Sequence, residues 1–349
     1  MRVYTCFVLL CSIYTTNSWT EYIEQIDEFR TLLLNPKTII TEDILNKVPK
    51  FGDFDTVAPK LYQDLEIKGE GQDARVWVGK SIVDRPNVGI VQGQTIAIRG
   101  ARIGAGQEKS SALGTLKSFV KAQNILRNPA FPITEFFPTF YGTYEANGKT
   151  KYSSTQPLNF QEMEAIDNTL ANLCKIEDEP GTYPKTILKD WWVMLDEMEP
   201  ISDCVVFEFC LGEWAGAYFA QIGSNDAKTE NAGVKKVDYS RSYQIQGRKY
   251  IIPKTELMPK RIDIGGTGTY SGPPPLNSYS CSLKKIVSTV AQRSDPCKIT
   301  QTAENFMKEL AQKREGSIFE VFDSFYEKMS CKAQKEDEQN HNFVWPEIK

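Results

Sequence analysis

The groups able to do chemistry in this chain are carboxylates and cations rather than imidazoles. A single histidine, His341, stands in the polar segment Lys332–Asn342, which argues against a Ser-His-Asp or Cys-His nucleophile, an HExxH zinc site and any multi-histidine metal centre. Three segments have residue types and spacing suited to a nucleotide and a divalent cation. In Gly69-Glu70-Gly71-Gln72-Asp73-Ala74-Arg75-Val76-Trp77-Val78-Gly79, Gly69 and Gly71 lie between two β-prone runs, where backbone N–H groups without a Cβ beside them could approach phosphates. A plain β-turn is the other reading of that pair. The run Phe209-Cys210-Leu211-Gly212-Glu213-Trp214 carries Glu213 as a candidate base. From Gly233, Val234-Lys235-Lys236-Val237-Asp238-Tyr239-Ser240 puts Asp238 at the end of an apolar strand, where a carboxylate can be aimed at a phosphate-bound metal ion or can simply form a turn. The carboxylate pairs Asp196/Glu197 and Glu208/Glu213 offer a histidine-independent hydrolase as a further option.

The elements that must position these groups follow from periodicity. Thr20 as N-cap with Tyr22, Ile23, Ile26, Phe29, Leu32 and Leu33 predicts a first helix. Leu65–Gly71, Ala74–Lys80 and Thr95–Arg99 read as three short strands. Ser110–Asn128 has a helical apolar stripe stopped by Pro129, and Asn147-Gly148 between Phe137–Glu145 and Thr150–Ser154 predicts a hairpin. Further on, Gln161–Leu173, Lys185–Glu199 (with Trp191 and Trp192), Ala303–Arg314 and Ser317–Ser330 read as helices, Ser202–Leu211 as helix or strand, and Val234–Tyr239 as a strand. The stretch Gly265–Pro275 is too rich in glycine and proline for regular structure and reads as a surface or site loop.

Taken in order, these segments resemble the protein-kinase-like fold in its atypical branches, the phosphatidylinositol-kinase-like, HipA-like and bacterial effector types. There a segment Leu-Gly-(Glu/Asp)-x-Asp-x-x-x-x-Asn precedes a strand ending in (Ile/Val)-Asp-(Phe/Tyr)-(Gly/Ser). Leu211-Gly212-Glu213-Trp214 fits the start of the first and Val237-Asp238-Tyr239-Ser240 fits the second. The resemblance implies ATP and Mg²⁺ as cofactors, Asp238 as metal ligand, Gly69 and Gly71 over the phosphates, and Ser110–Asn128 as the helix carrying the acidic partner, with Glu108 the nearest carboxylate. The expected lysine of the third strand is replaced by Arg99, followed by Arg102, with Lys80 one strand earlier. Ala215 stands where the catalytic aspartate belongs and Phe219 or Ala220 near the metal-binding asparagine. Glu213 is then the substitute base, and an impaired or inactive kinase-like protein is the natural inference.

The implied architecture is α+β and two-lobed. Residues 19–154 form an antiparallel-sheet lobe with helix, residues 155–330 a mainly helical lobe, and residues 331–349 a polar tail. Met1–Ser18 reads as a secretory signal peptide, one basic residue followed by an apolar run too short to span a bilayer, so the chain is expected to be secreted without a transmembrane anchor. With 41 basic against 45 acidic residues the net charge is −4, which speaks against nucleic acid as a partner. The expected partner is a host or extracellular protein or lipid. Beyond the leader the cysteines are Cys174, Cys204, Cys210, Cys281, Cys297 and Cys331, an even set able to pair off fully as disulfides. That supports the rival reading, a secreted interaction protein without catalysis, stabilised by disulfides.

Overall fold

The computed structural model describes residues 20–70, 74–103, 116–122, 135–151, 153–173, 200–220, 222, 231–254, 256–262, 281–283, 297–312, 318–332 and 340–344. The leader, the helix expected over Lys185–Glu199 and the loop Gly265–Pro275 lie outside them. The chain is α+β and divides into two compact units, Met1–Val120 with Thr139–Ala165, and Lys121–Pro138 with Ile166–Lys349. The division falls later than Ser154 because the strand that completes the first sheet runs to Glu164.

Unit 1 is built on a six-stranded sheet in the order β1-β5-β6-β4-β3-β2. Its strands are β1 (Lys50–Asp53), β2 (Tyr62–Glu70), β3 (Ala74–Ser81), β4 (Thr95–Arg102), β5 (Phe140–Gly148) and β6 (Gln156–Glu164). Only β1 runs parallel to its neighbour. The three strands expected from Leu65 to Arg99 are present. The hairpin is shifted: Asn147 and Gly148 pair with Pro157 and Gln156 inside the ladder, so the reversal comes later. Residues 161–164, expected as the start of a helix, are strand. Leu158, Asn159, Phe160, Gln161, Glu162 and Met163 are all buried, which removes the in-out alternation a strand normally displays.

One sheet face, with Trp77, Ile98, Tyr144 and Phe160, is covered by Ile26 of α1 (residues 20–33) and by Phe54, Val57, Leu61 and Tyr62. Phe54 stacks on Phe160 at 4.2 Å and tilts against Trp77 at 4.8 Å. A charge cluster is sealed into this core. Arg85 donates to Asp27 Oδ1 from Nη2 (2.6 Å) and to Glu162 Oε2 from Nη1 (2.8 Å), and Tyr62 donates its hydroxyl to Glu162 Oε1 (2.6 Å). Burial raises the Tyr62 phenol well above its ordinary value, and the Glu162 charge adds to that. Position 142 must be glycine here, since a Cβ would lie 2.3 Å from Ile26 Cγ2 and 2.8 Å from Glu162 Oε2.

Unit 2 centres on α3 (Asp203–Ala220). Ser202 starts it, its hydroxyl accepting the Cys204 N–H at 3.2 Å. The helix is apolar on nearly every side and correspondingly buried, which is why Ser202–Leu211 reads ambiguously in isolation. Around it lie α4 (Gln301–Gln312) and α5 (Ile318–Lys328), close to the expected helices and packed through Phe306 and Phe325, stacked at 4.0 Å. Two three-stranded sheets complete the unit. One is β11-β8-β7, from β7 (Asn168–Thr169), β8 (Ala232–Lys235) and β11 (Met258–Arg261). The other is β10-β9-β12, from β9 (Ser240–Ile245), β10 (Arg248–Ile252) and β12 (Asn340–Val344). So the second unit is more β-rich than expected, and residues 340–344 of the anticipated tail form a strand parallel to β9. Disulfides join Cys204 to Cys331 and Cys210 to Cys281, and Cys297 is disulfide-bonded as well.

Candidate functional site

In unit 1 the ladder determines what surrounds Arg99. Val78, Ala97 and Met163 are register partners across β3, β4 and β6, while Arg99, Gln161 and Thr143 are partners across β4, β6 and β5. Directly opposed residues project to the same face. The face opposite the aromatic core therefore carries an apolar row, Val78-Ala97-Met163, beside a polar row, Arg99-Gln161-Thr143. Helix α2 (residues 116–122, inside the expected Ser110–Asn128) packs on this face through Phe119, whose ring stacks on Phe140 at 5.5 Å. The polar row is internally ordered: Gln161 Nε2 donates to Asn159 Oδ1 (3.1 Å), and Asn159 Nδ2 donates to Thr143 Oγ1 (3.0 Å). Arg99 is half-buried, and its Nη1 donates to the neutral Gln161 Oε1 at 3.5 Å. No carboxylate neutralises it among the described contacts, in contrast to Arg85.

Lys80 lies toward the end of β3 and donates to Asp64 Oδ2 at 2.8 Å, a bond that holds its pKa above the ordinary lysine value. Gly69 is within β2, and a Cβ there would meet only Val76 Cβ at an ordinary 3.9 Å, so packing does not require glycine. Gly71 and Glu108 lie outside the described residues.

In unit 2 the structure separates two groups that the sequence reading joined. Leu211-Gly212-Glu213-Trp214 is not a loop but the interior of α3. Gly212 is glycine because the Phe136 ring lies where a Cβ would stand, 2.4 Å away. Glu213 is buried, accepting from Arg261 Nη1 (2.6 Å), from Ser282 N (2.7 Å) and from the Ser282 hydroxyl. A buried carboxylate with three donors already on it is held as a structural partner rather than presented to a substrate. Glu208, the other half of the candidate hydrolase pair, is closed in the same way by Arg241 Nε (2.6 Å), Arg241 Nη2 (2.7 Å) and the Tyr243 hydroxyl (2.6 Å). Asp196 and Glu197 lie outside the described residues.

Asp238 differs from all of these. The strand expected to reach Tyr239 stops at Lys235, and Asp238 sits in the bend that follows, exposed, with no hydrogen bond or ion pair among the described residues. Its neighbour is held: Tyr239 donates its hydroxyl to Glu135 Oε2 at 2.9 Å, and Lys260 Nζ donates to the Glu135 carbonyl at 2.7 Å. The other end of β8 is Asn231, whose carbonyl accepts the Ile262 N–H at 3.2 Å. Since β8 is the middle strand of its sheet, paired to β11 and β7, both of its ends are fixed in place.

That position exposes a signal passed over in the sequence. Between the end of α3 at Ala220 and the start of β8 the chain reads Ile222-Gly223-Ser224-Asn225-Asp226-Ala227-Lys228-Thr229-Glu230-Asn231. An aliphatic residue and glycine, then an aspartate, then an asparagine after four intervening residues, is the spacing sought at Leu211. Here both acid and amide are present. The choice of Leu211-Gly212-Glu213 rested on an earlier Leu-Gly pair whose glycine answers to Phe136.

Cys204, Glu256 and Cys331 bring their ligand atoms within 4.8 Å of one another, but the two sulfurs are bonded to each other, which leaves no thiolate to hold a metal. No helix among the described residues is long and apolar enough to cross a membrane. No protein-family model matches the chain, and no curated protein matches it.

Proposed function

We propose that this chain is a divergent kinase-like phosphotransferase, exported through its leader, that uses ATP with Mg²⁺ on a protein or lipid acceptor. The observation that carries the reading is the order of chemistry-bearing elements: three antiparallel strands, a helix and two more strands with the third beside the last, then β8 with Asn231 before it and Asp238 after it. This is the order the kinase-like resemblance requires. The residues also fit the groups they would hold. Asp238 is an exposed carboxylate with no ion pair among the described residues, and the Asn231 amide would add a second oxygen ligand of the type Mg²⁺ takes.

In this reading Asp226, not Glu213, accepts the proton of the acceptor hydroxyl. Asp238 and Asn231 would hold the metal ion, whose charge would offset that of the nucleotide phosphates. Within unit 1 taken by itself, the resemblance would give Arg99, beside the apolar row Val78-Ala97-Met163, the phosphate-binding role of the strand lysine. Arginine stays charged at any working pH and presents a planar fork to phosphate oxygens, so the replacement preserves binding while changing its geometry.

The expected result is a rise in thermal midpoint with ATP and Mg²⁺ together. Asp238→Ala should remove the Mg²⁺-dependent part, and Asp226→Ala should keep that shift while losing phosphoryl transfer to a generic acceptor. A wild-type midpoint indifferent to ATP and Mg²⁺ would refute the proposal. The second reading, a secreted interaction protein without catalysis, is favoured by the disulfides Cys204–Cys331 and Cys210–Cys281. It predicts that indifferent midpoint together with a full complement of protected thiols.

A further inference from the structure

The strand β12 is attached to unit 2 in an unusual way. It pairs in parallel with β9 over its whole length, Asn340 with Ser240, Asn342 with Ser242 and Val344 with Gln244. Among the described elements it packs on β9 and on no other to a comparable extent. As the outer strand of β10-β9-β12 it has no strand neighbour on its far side among the described residues. Among those residues one ladder, on one edge, holds it. Immediately upstream the chain is anchored independently, since Cys331 is bonded to Cys204 at the start of α3. Detaching β12 disturbs no described element before that anchor.

The connection from Lys332 to Asn340 reads Ala333-Gln334-Lys335-Glu336-Asp337-Glu338-Gln339, with no large apolar side chain to bury. Extended, a connection of that length reaches about 25 Å. Backbone hydrogen bonds of a parallel ladder are the same whether the strand comes from its own chain or from another copy. Covalent connection favours the chain's own strand through an effective concentration, on the order of 1 mM for short connections.

We propose that the edge of β9 covered by β12 is a strand-acceptor site whose partner is a second copy of this chain, with residues Asn340–Val344 exchanged between the two to form a strand-swapped dimer. The interaction is reciprocal, each copy donating its last strand and receiving the other's, as a closed two-fold assembly requires. The Cys331 anchor keeps the exchange local, so both copies retain their helices in place. The site is independent of any nucleotide chemistry, although β9 begins two positions after Asp238.

The register supplies the test. The full-length variant Ser242→Cys/Asn342→Cys places thiols at paired positions of β9 and β12 and should form an intramolecular disulfide in dilute solution, seen as a faster-migrating monomer on a non-reducing gel. An equimolar mixture of the full-length single variants Ser242→Cys and Asn342→Cys can be bridged across that pair only if the strand of one copy lies on β9 of another. Covalent heterodimer should be below about 1% at 1 µM and should rise to tens of per cent at about 1 mM, following the ratio of protein to effective concentration. Adding Phe343→Pro or Val344→Pro to the Asn342→Cys donor should abolish it for one of the two prolines, because adjacent N–H groups point to opposite edges and only one faces β9. If the double variant bridges internally while the mixture yields no heterodimer at 1 mM, exchange does not occur and the proposal is overturned. Failure of the double variant to bridge removes the β9–β12 register itself, with the same consequence.

Discussion

Two regions of unit 2 hold their carboxylates in opposite ways. Along α3, Glu208 and Glu213 are buried, and each is met by an arginine and at least one further donor. Just past the end of β8, Asp238 is exposed and has no partner among the described residues, while Tyr239 is held by Glu135 and the Lys236 N–H by Asp167. A buried carboxylate persists only if every lone pair is answered, since an isolated charge in a low-dielectric interior is very costly. A carboxylate meant to meet a metal ion needs the reverse, a fixed backbone and an open side chain. Unit 1 repeats the contrast with cations, Arg85 between two carboxylates and Arg99 beside an amide. Local sequence around a charged residue says little about which kind it is; the count of partners around it does.

The contrast is broken most severely by removing Glu213. Glu213→Ala leaves the Arg261 guanidinium buried without its carboxylate, and losing one partner of a buried pair typically costs about 3–5 kcal/mol. A large drop in the urea midpoint is expected, with some of the protein failing to fold. Asp238→Ala should lie within about 0.5 kcal/mol of wild type, as surface substitutions do, and should change only the response to nucleotide and Mg²⁺. Were Glu213→Ala to fold normally and Asp238→Ala to unfold the protein, the two roles would be reversed.

Reduction should come next in size and should separate the two units. Among the described residues both resolved disulfide pairs fall in unit 2, at sequence separations of 127 and 71. Loops of that length are stabilised by about 2–4 kcal/mol per bridge when native geometry is undistorted. Hydrogen exchange in reductant is expected to quicken throughout α3 and α5, while amides of β3, β4 and β6 keep their protection. Equal loss in both units would show that they do not open independently.

How much of this was readable beforehand differs between the units for a physical reason. The strands β2 and β3 and the helices α4 and α5 are only partly buried, so their periodicity shows which face goes inward. The helix α3 is apolar on nearly every side and so carries no period, while β6 buries Asn159 and Gln161 on one face and Glu162 on the other, so polarity there does not mark the outside. That is why Gln161–Glu164 reads as helix and Ser202–Leu211 as undecided. Asp238 was legible as an acid following an apolar run, and Arg99 by its place in the third strand. That Leu211-Gly212-Glu213 lies inside a helix was not legible, because a Leu-Gly pair in a helix looks the same in sequence as one in a loop. Only Phe136, distant along the chain, explains that glycine.

Phe136 permits a smaller test of the same point. Gly212→Ala would force the ring from its seat against α3, and such overpacking typically costs about 1–3 kcal/mol. Phe136→Leu should recover part of that in the double variant, because both substitutions act on one contact. If Gly212 instead served a catalytic loop, alanine would reduce nucleotide-dependent activity with little change in stability, and Phe136→Leu would not rescue it.

The mildest effect expected concerns Asp27 in the unit 1 core. Burial raises its pKa above the ordinary 3.8, outweighing the attraction of Arg85, and the nearby Glu162 charge acts in the same direction as burial. The folded protein therefore holds the Asp27 proton more tightly than the unfolded chain does. The stability this contributes is complete below about pH 3.8, where both states are protonated, and is lost as pH rises through the raised folded value. Other carboxylates titrate in the same range, so the informative quantity is the difference in unfolding free energy between wild type and Asp27→Asn at each pH. Asparagine has no proton to lose and still offers an oxygen to Arg85. Wild type should thus lose stability relative to Asp27→Asn as pH is raised from 3.8 and then run parallel to it. A difference of the opposite sign would mean that Arg85 dominates and that the cluster behaves as an ordinary ion pair.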